Sequence, residues 1–195
     1  RKEDVLISPY DRGFLFGDGV YELIPSYSGQ MFLYDEHISR LARSLEAASI
    51  DKPQQWKNLD RIILDLLQRN KFQNQAVYIQ VTRGQDKTRS HVPDETTAPT
   101  LFIESSELSA DLLQPNLKEP LMDVGMEEDL RWSRCDIKAI TLLGNVMTLN
   151  KLSHGGLEEV IFFKDNLITE GAKSNIFFVF GEEIVTPSLS KNILS

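Results

Sequence analysis

Apolar and polar positions recur with two periods along this 195-residue chain, and each change of period marks an element. Val20 to Tyr27 reads as a strand, and the turn Ser28-Gly29-Gln30 returns it as a hairpin into a short strand from Met31 to Tyr34. From Asp35 the period lengthens. Ile38, Leu41, Ala42, Leu45 and Ala48 follow the spacing of an amphipathic helix, with Asp35 expected as its N-cap. Pro53 is expected to open a second helix, whose stripe is Trp56, Leu59, Ile62, Ile63, Leu66 and Leu67. Val77, Ile79 and Val81 alternate with Tyr78, Gln80 and Thr82, the pattern of a half-buried strand. A long polar loop from Arg83 to Pro99 precedes another strand, Thr100 to Glu104; loops of this length are usually functional or mobile.

The stretch Glu107 to Pro120, with Pro115 and Pro120, predicts a linker, so that 1–108 form a first domain, 109–119 the linker and 120–195 a second domain. Within the second, a strand is expected over Leu121 to Met126 and a helix around Leu142 to Leu152, closed by His154-Gly155-Gly156. Strands follow at Val160 to Lys164, Leu167 to Thr169, Asn175 to Phe180 and Glu183 to Thr186, turning at Asp165-Asn166 and Gly181-Glu182. The first half therefore reads as α+β and the second as mostly β. Upstream, Leu6 to Gly19 is rich in turn residues and reads as a surface loop entering the first strand.

Composition narrows the class. Hydrophobic residues are 41% and charged residues 26%, ordinary globular usage that excludes collagen, coiled coil and wholesale disorder. The single cysteine, Cys135, excludes an internal disulfide and a thiolate metal cluster, and favours a reducing compartment such as the cytoplasm. Lys plus Arg number 21 against 29 Asp plus Glu, for a net charge of −8, which argues against nucleic acid as a partner. The richest apolar run, Ile176 to Phe180, has the length of a strand, so no membrane partner is expected. His37, His91 and His154 lack metal-ligand spacing, and no metal is expected. The chain opens on Arg1 and stops at Asn192-Ile193-Leu194-Ser195, which suggests a piece of something longer.

Four residues stand out as chemistry without being decisive. In Asp136-Ile137-Lys138-Ala139-Ile140 the alternation separates Lys138 from Ile137 and Ala139. A lysine drawn out of water becomes a nucleophile, although most lysines simply keep their ammonium solvated. Glu170 ends a strand, where its carboxylate could pair with a ring nitrogen or be an ordinary loop residue. Arg89 and His91, two residues apart in the long loop, could clamp a carboxylate or be solvated.

Taken together, five ordered blocks resemble a known family. They are Asp11-Arg12-Gly13-Phe14-Leu15-Phe16-Gly17-Asp18-Gly19-Val20-Tyr21-Glu22, Asp35-Glu36-His37-Ile38-Ser39-Arg40-Leu41, Arg134-Cys135-Asp136-Ile137-Lys138, Leu142-Leu143-Gly144-Asn145 and Thr169-Glu170-Gly171-Ala172-Lys173-Ser174-Asn175. Their order and spacing are similar to the class IV aminotransferases, the fold-type IV pyridoxal-phosphate enzymes. The resemblance implies an α+β fold with a small N-terminal domain and a β-rich pseudobarrel C-terminal domain, here stopping at the cofactor. Val81-Thr82-Arg83-Gly84 followed by Arg89-Ser90-His91 is similar to the D-amino-acid branch of the family. Branched-chain L-amino-acid aminotransferases, aminodeoxychorismate lyases and a truncated non-catalytic homologue are the alternatives.

The resemblance also implies roles. Lys138 would hold pyridoxal 5′-phosphate covalently and shuttle the substrate proton. Glu170 would pair with the pyridine nitrogen, Arg40 with the phosphate, Leu194 with the ring, and Ser174 would stand close by. Tyr21, Arg89 and His91 would bind the substrate α-carboxylate. The family works as a homodimer, the loop matching Arg89 and His91 reaching the neighbouring subunit. The reaction would be two half-transaminations, from a D-amino acid to a 2-oxo acid. Lys173 departs from the pattern, since relatives carry a small residue there, and it could pair with Glu170 or point to solvent.

Overall fold

The computed structural model describes residues 2–109 and 121–194 and divides them into two units. The first holds the described residues of the first 115 positions together with Ile137–Thr141; the second holds those of 116–136 and from Leu142 onward. From Ala110 on, the linker expected over 109–119 lies outside the described residues.

The first unit is built on an antiparallel sheet of order β2-β1-β3-β4, with β1 at Gly19–Tyr27, β2 at Gln30–Met31, β3 at Asn74–Thr82 and β4 at Thr100–Glu107. β1 and β3 pair along their whole length, from Gly19 opposite Thr82 to Tyr27 opposite Asn74. Period-two alternation therefore turns Val20, Ile24, Val77, Ile79 and Val81 to one face, all fully buried. Helices α2, Tyr34–Ala47, and α3, Leu59–Arg69, cover that face with Leu41, Leu45, Leu59, Ile63 and Leu67. Each such aliphatic side chain contributes about 1.5–3 kcal/mol by leaving water.

Several boundaries differ from the sequence expectation for local reasons. β2 is shorter than Met31 to Tyr34 because Phe32 N donates to the Pro25 carbonyl and the chain turns at Leu33, which sits at φ 49°. Leu33 is consequently the N-cap of α2, without a side-chain bond, and Asp35 lies inside the first turn, where its charge favours the helix dipole instead. Pro53 opens a 3₁₀ turn, Gln54–Asn58, rather than the helix itself; Trp56 N bonds the Pro53 carbonyl three residues back. The expected loop before β1 contains a short helix, α1, Arg12–Phe16. Asp11 caps it by accepting from Gly13 N at 2.8 Å, and Gly17 ends it in the left-handed region at φ 66°.

In the second unit β5, Val124–Glu128, pairs in parallel with β6, Glu159–Lys164, and β6 pairs antiparallel with β7, Leu167–Gly171. Helix α4, Leu143–Ser153, lies between the parallel strands in sequence and packs Leu149 and Leu152 against Val160, Phe162 and Ala172. Asp165 and Asn166 both take positive φ, at 51° and 61°, as a tight hairpin turn demands. β8, Phe178–Phe180, and β9, Glu183–Val185, form a separate two-stranded hairpin. The strand expected from Leu121 begins at Val124, and the one expected from Asn175 shrinks to β8. β7 runs on past Thr169, so Glu170 is a strand residue with a buried side chain.

Candidate functional site

In the first unit, segment 137–141 lies beside the start of β1. Val20 and Ala139 form an isolated antiparallel bridge, Tyr21 N donates to the Lys138 carbonyl at 2.9 Å and Ile140 N to the Gly19 carbonyl at 3.0 Å. From α2, the buried Ser44 hydroxyl accepts from Lys138 N at 3.2 Å. Ile137 is buried in the core and Ala139 packs against it. The peptide carrying Lys138 is thus held on both sides, and its Nζ lies 4.4 Å from the centroid of the Tyr21 ring. An ammonium over an aromatic face is stabilised by the ring quadrupole.

Arg40 has a partner that sequence reasoning missed. Glu22 follows Val20 on the buried side of β1 and is fully buried itself. α2 presents His37 and Arg40, three residues apart and hence on one side of the helix. Arg40 donates to Glu22 Oε1 from Nε and to Oε2 from Nη2 at 2.8 Å, while His37 Nδ1 lies 2.9 Å from Oε2. A carboxylate only accepts, so Nδ1 carries the hydrogen in this contact. Burial disfavours the Glu22 anion, but the bonds from Arg40 and His37, with the charges of Arg40 and Lys138, hold its carboxyl below the usual range. The signal was present in the alternation Val20, Glu22, Ile24, Ser26, because a carboxylate on a core-facing position requires a cation. The first unit thereby gathers Lys138, Tyr21 and Arg40, the last two also coupled through charge.

Arg89 and His91 sit apart from that group, exposed on the 83–99 loop and packed against Phe16 of α1. The Arg89 guanidinium is 5.0 Å and the His91 ring 5.4 Å from the Phe16 centroid.

The second unit holds Glu170, Leu194 and Ser174. Glu170 Oε1 accepts from Arg131 Nη1 at 2.8 Å, and Oε2 accepts from the backbone N of Leu194 at 3.0 Å. Arg131 also makes a fork to Asp129, from Nε to Oδ1 at 2.9 Å and from Nη2 to Oδ2 at 2.8 Å. Burial works against the Arg131 cation, yet the bonds to Asp129 and Glu170 raise its pKa above the ordinary arginine value. No motif announced Arg131; Arg134 looked equivalent in sequence, but it pairs locally with Asp136. Ser174 donates to Glu159 Oε2 at 2.9 Å, and Glu159 Oε1 accepts from Val160 N and Ala172 N, which fixes the turn after Glu170. Lys173 is exposed, and the cation beside Glu170 is Arg131. Burial raises the Cys135 thiol pKa despite the charge of Arg131, which leaves it inert at neutral pH. Among the described residues no His, Cys, Asp and Glu group could hold a metal ion, and no helix is long and apolar enough to cross a membrane.

Known proteins share this fold. The family described as amino-transferase class IV matches residues 19–195. A D-alanine aminotransferase of Staphylococcus epidermidis is 34% identical over 194 residues, covering 100% of this chain and 68% of the relative. Among solved structures, the branched-chain amino acid aminotransferase of Escherichia coli superposes with a TM-score of 0.85 at 21% identity, covering 100% of this chain and 66% of that one. The pyridoxal-phosphate-bound form of a hypothetical aminotransferase from Mycobacterium tuberculosis superposes with a TM-score of 0.81 at 18% identity, covering 100% and 70%. The chain spans about two thirds of the length of these proteins. With a family match over nine tenths of its residues and a full-length alignment to a 34% identical relative, this chain belongs to the class IV aminotransferases, the fold-type IV enzymes that work with pyridoxal phosphate.

Proposed function

We propose that the protein transfers an amino group from a D-amino acid such as D-alanine to a 2-oxo acid such as 2-oxoglutarate, in two half-reactions. The observation that carries this reading is Lys138: its backbone is pinned by Tyr21 and Ser44, and its amine is laid on an aromatic ring. The choice of a D-amino acid rests on the kinship with D-alanine aminotransferases and on Arg89-Ser90-His91.

Each unit carries groups of the kind pyridoxal phosphate needs: an immobilised amine at Lys138 and a guanidinium at Arg40 in the first, and a buried carboxylate at Glu170 in the second. When bound, that cofactor supplies an electron sink for the carbanion left when the substrate α-carbon loses its proton. Lys138 is the attachment point and the base that takes and returns this proton. The Tyr21 ring covers one side of its amine. Glu170, oriented by Arg131, would pair with the pyridine nitrogen. Arg40, fixed by Glu22, meets the phosphate with charge-assisted N–H bonds. Leu194 and Ser174 would stand beside the cofactor. Tyr21, Arg89 and His91 bind the α-carboxylate, and Arg89 and His91 do so for the neighbouring subunit of a homodimer in the cytoplasm. We read residues 1–108 and 120–195 as the family's two domains and 109–119 as the linker, with segment 137–141 of the later stretch grouped with the first unit.

The test is a donor comparison with 2-oxoglutarate as acceptor. D-alanine is expected to support turnover and L-leucine is not. Activity with L-leucine alone would overturn the D-specific reading.

A further inference from the structure

The loop that carries Arg89 and His91 is tied to α1 by one buried side chain, Arg12, which is 4% exposed. Its guanidinium donates from Nε to Asp18 Oδ2 at 2.8 Å, from Nη1 to Asp86 Oδ2 and to the Ser90 carbonyl, both at 2.7 Å, and from Nη2 to the His91 carbonyl at 2.9 Å. The plane also lies 4.9 Å from the Phe16 centroid, so Arg12, Arg89 and His91 share one ring. Two of the four acceptors are thus main-chain carbonyls of the Arg89-Ser90-His91 segment. The guanidinium offers five N–H donors in a fixed plane, enough for these four acceptors, whereas a lysine ammonium has three donors on a flexible stem.

The surroundings leave this contact little slack. Asp86 is buried and also accepts from Thr97 Oγ1 and from Asp94 N at 3.4 Å, so it grips the far side of the loop. Arg12 N donates to the Gly84 carbonyl at 2.8 Å, where Gly84 sits at φ 111° and a Cβ would come within 1.9 Å of the Ala98 oxygen. Asp11, next in the chain, accepts from Thr82 and Thr100, which close the loop at its ends. Bonds from Thr97 and Arg12 hold the Asp86 carboxyl below the usual range, so it stays anionic around neutrality.

We infer that Arg12 is a positioning residue for substrate recognition: through the Ser90 and His91 carbonyls it sets the backbone from which Arg89 and His91 present their side chains to the α-carboxylate. This rests on the reading of Arg89 and His91 given above. An exposed cation on an unanchored loop would lose rotamer and backbone freedom on each binding event. Here the backbone part of that cost is met on folding. The effect belongs to the affinity for amino acid, and the chemistry at Lys138 is unaffected.

The test compares Arg12→Lys, Asp86→Asn and Arg89→Ala with the unaltered protein, reading KM and kcat for D-alanine, visible cofactor absorbance and trypsin cleavage after Arg89. Arg12→Lys is expected to raise KM roughly tenfold or more, leave kcat within about threefold and the absorbance unchanged, and speed cleavage at Arg89. Asp86→Asn changes KM in the same direction by less, and it carries the test if Arg12→Lys does not fold. If Arg89→Ala raises KM while the Arg12 and Asp86 variants keep it, the positioning role is overturned and the carboxylate reading stands. If Arg89→Ala leaves KM unchanged, the carboxylate reading fails, and the positioning role falls with it. A fall in kcat with loss of absorbance and unchanged KM in the Arg12 variant would also overturn it, since that pattern means general unfolding of the site.

Discussion

The two units are held together by different means. The first has a continuous apolar core, in which Val20, Ile24, Leu41, Ile63, Val77, Ile79 and Val81 are fully excluded from water. In the second, the cluster of buried apolar residues is Val160, Phe162 and Ala172, while Val179, Ile184 and Leu189 are 70%, 72% and 73% exposed. Both units bury charge, Asp11, Arg12, Glu22 and Asp86 in the first and Asp129, Glu159 and Glu170 beside the mostly buried Arg131 in the second. Only in the first does an extensive apolar core stand beside it; in the second Thr169 bridges Asp129 and the Phe162 carbonyl. An apolar core tolerates small losses in proportion to the area removed, whereas a buried ion network fails when one member goes. The unit that carries Lys138 is therefore the robust one, and the unit that carries Glu170 depends on Arg131.

The two tryptophans allow the comparison to be read separately, since Trp56 lies in the first unit and Trp132 in the second. The largest effect is expected from Arg131→Ala, which strands Asp129 and Glu170 without their counter-charge. Loss of one partner of a buried pair costs about 3–5 kcal/mol. In denaturant titrations the Trp132 transition should move accordingly while that of Trp56 stays, and a shift below 1 kcal/mol would break the contrast.

Acid sharpens it next. Burial raises the Asp129 pKa, but bonds from Arg131 overcome this and leave it below the usual value. A carboxyl lowered on folding contributes its stability fully above the unfolded pKa, about 3.9, and loses it as pH falls through the depressed folded value. The Trp132 transition should therefore weaken below about pH 4, and Asp129→Asn should flatten that dependence. The first unit has its own such group in Glu22, so Glu22→Gln should flatten the Trp56 dependence and leave that of Trp132 alone. The smallest effect is Ile63→Val, about 0.5–1.5 kcal/mol on the Trp56 transition alone.

The same contrast explains what could be read from sequence. Period two over Val77 to Thr82 and period 3.6 from Ile38 to Leu45 report burial of an apolar face, and the first unit is organised by such faces. Its element ends were less legible, because Leu33 and the 3₁₀ turn after Pro53 depend on hydrogen bonds that no pattern displays. α1 is a single capped turn, too short for a period, though Asp11 and Gly17 mark its ends. Lys138, Arg40 and Glu170 are candidates that the family motifs name. Glu22 could have been found from its core-facing position, whereas Arg131 and Arg12 could not, since their partners are up to 79 residues away along the chain.

The account stands most directly on Lys138 as the amine that carries pyridoxal phosphate. The protein, incubated with that cofactor and reduced with borohydride, can be digested and its peptides weighed. One stable adduct is expected, on the peptide containing Lys138, and none in Lys138→Ala. An adduct on Lys173 or another surface lysine, with Lys138 unmodified, would contradict it.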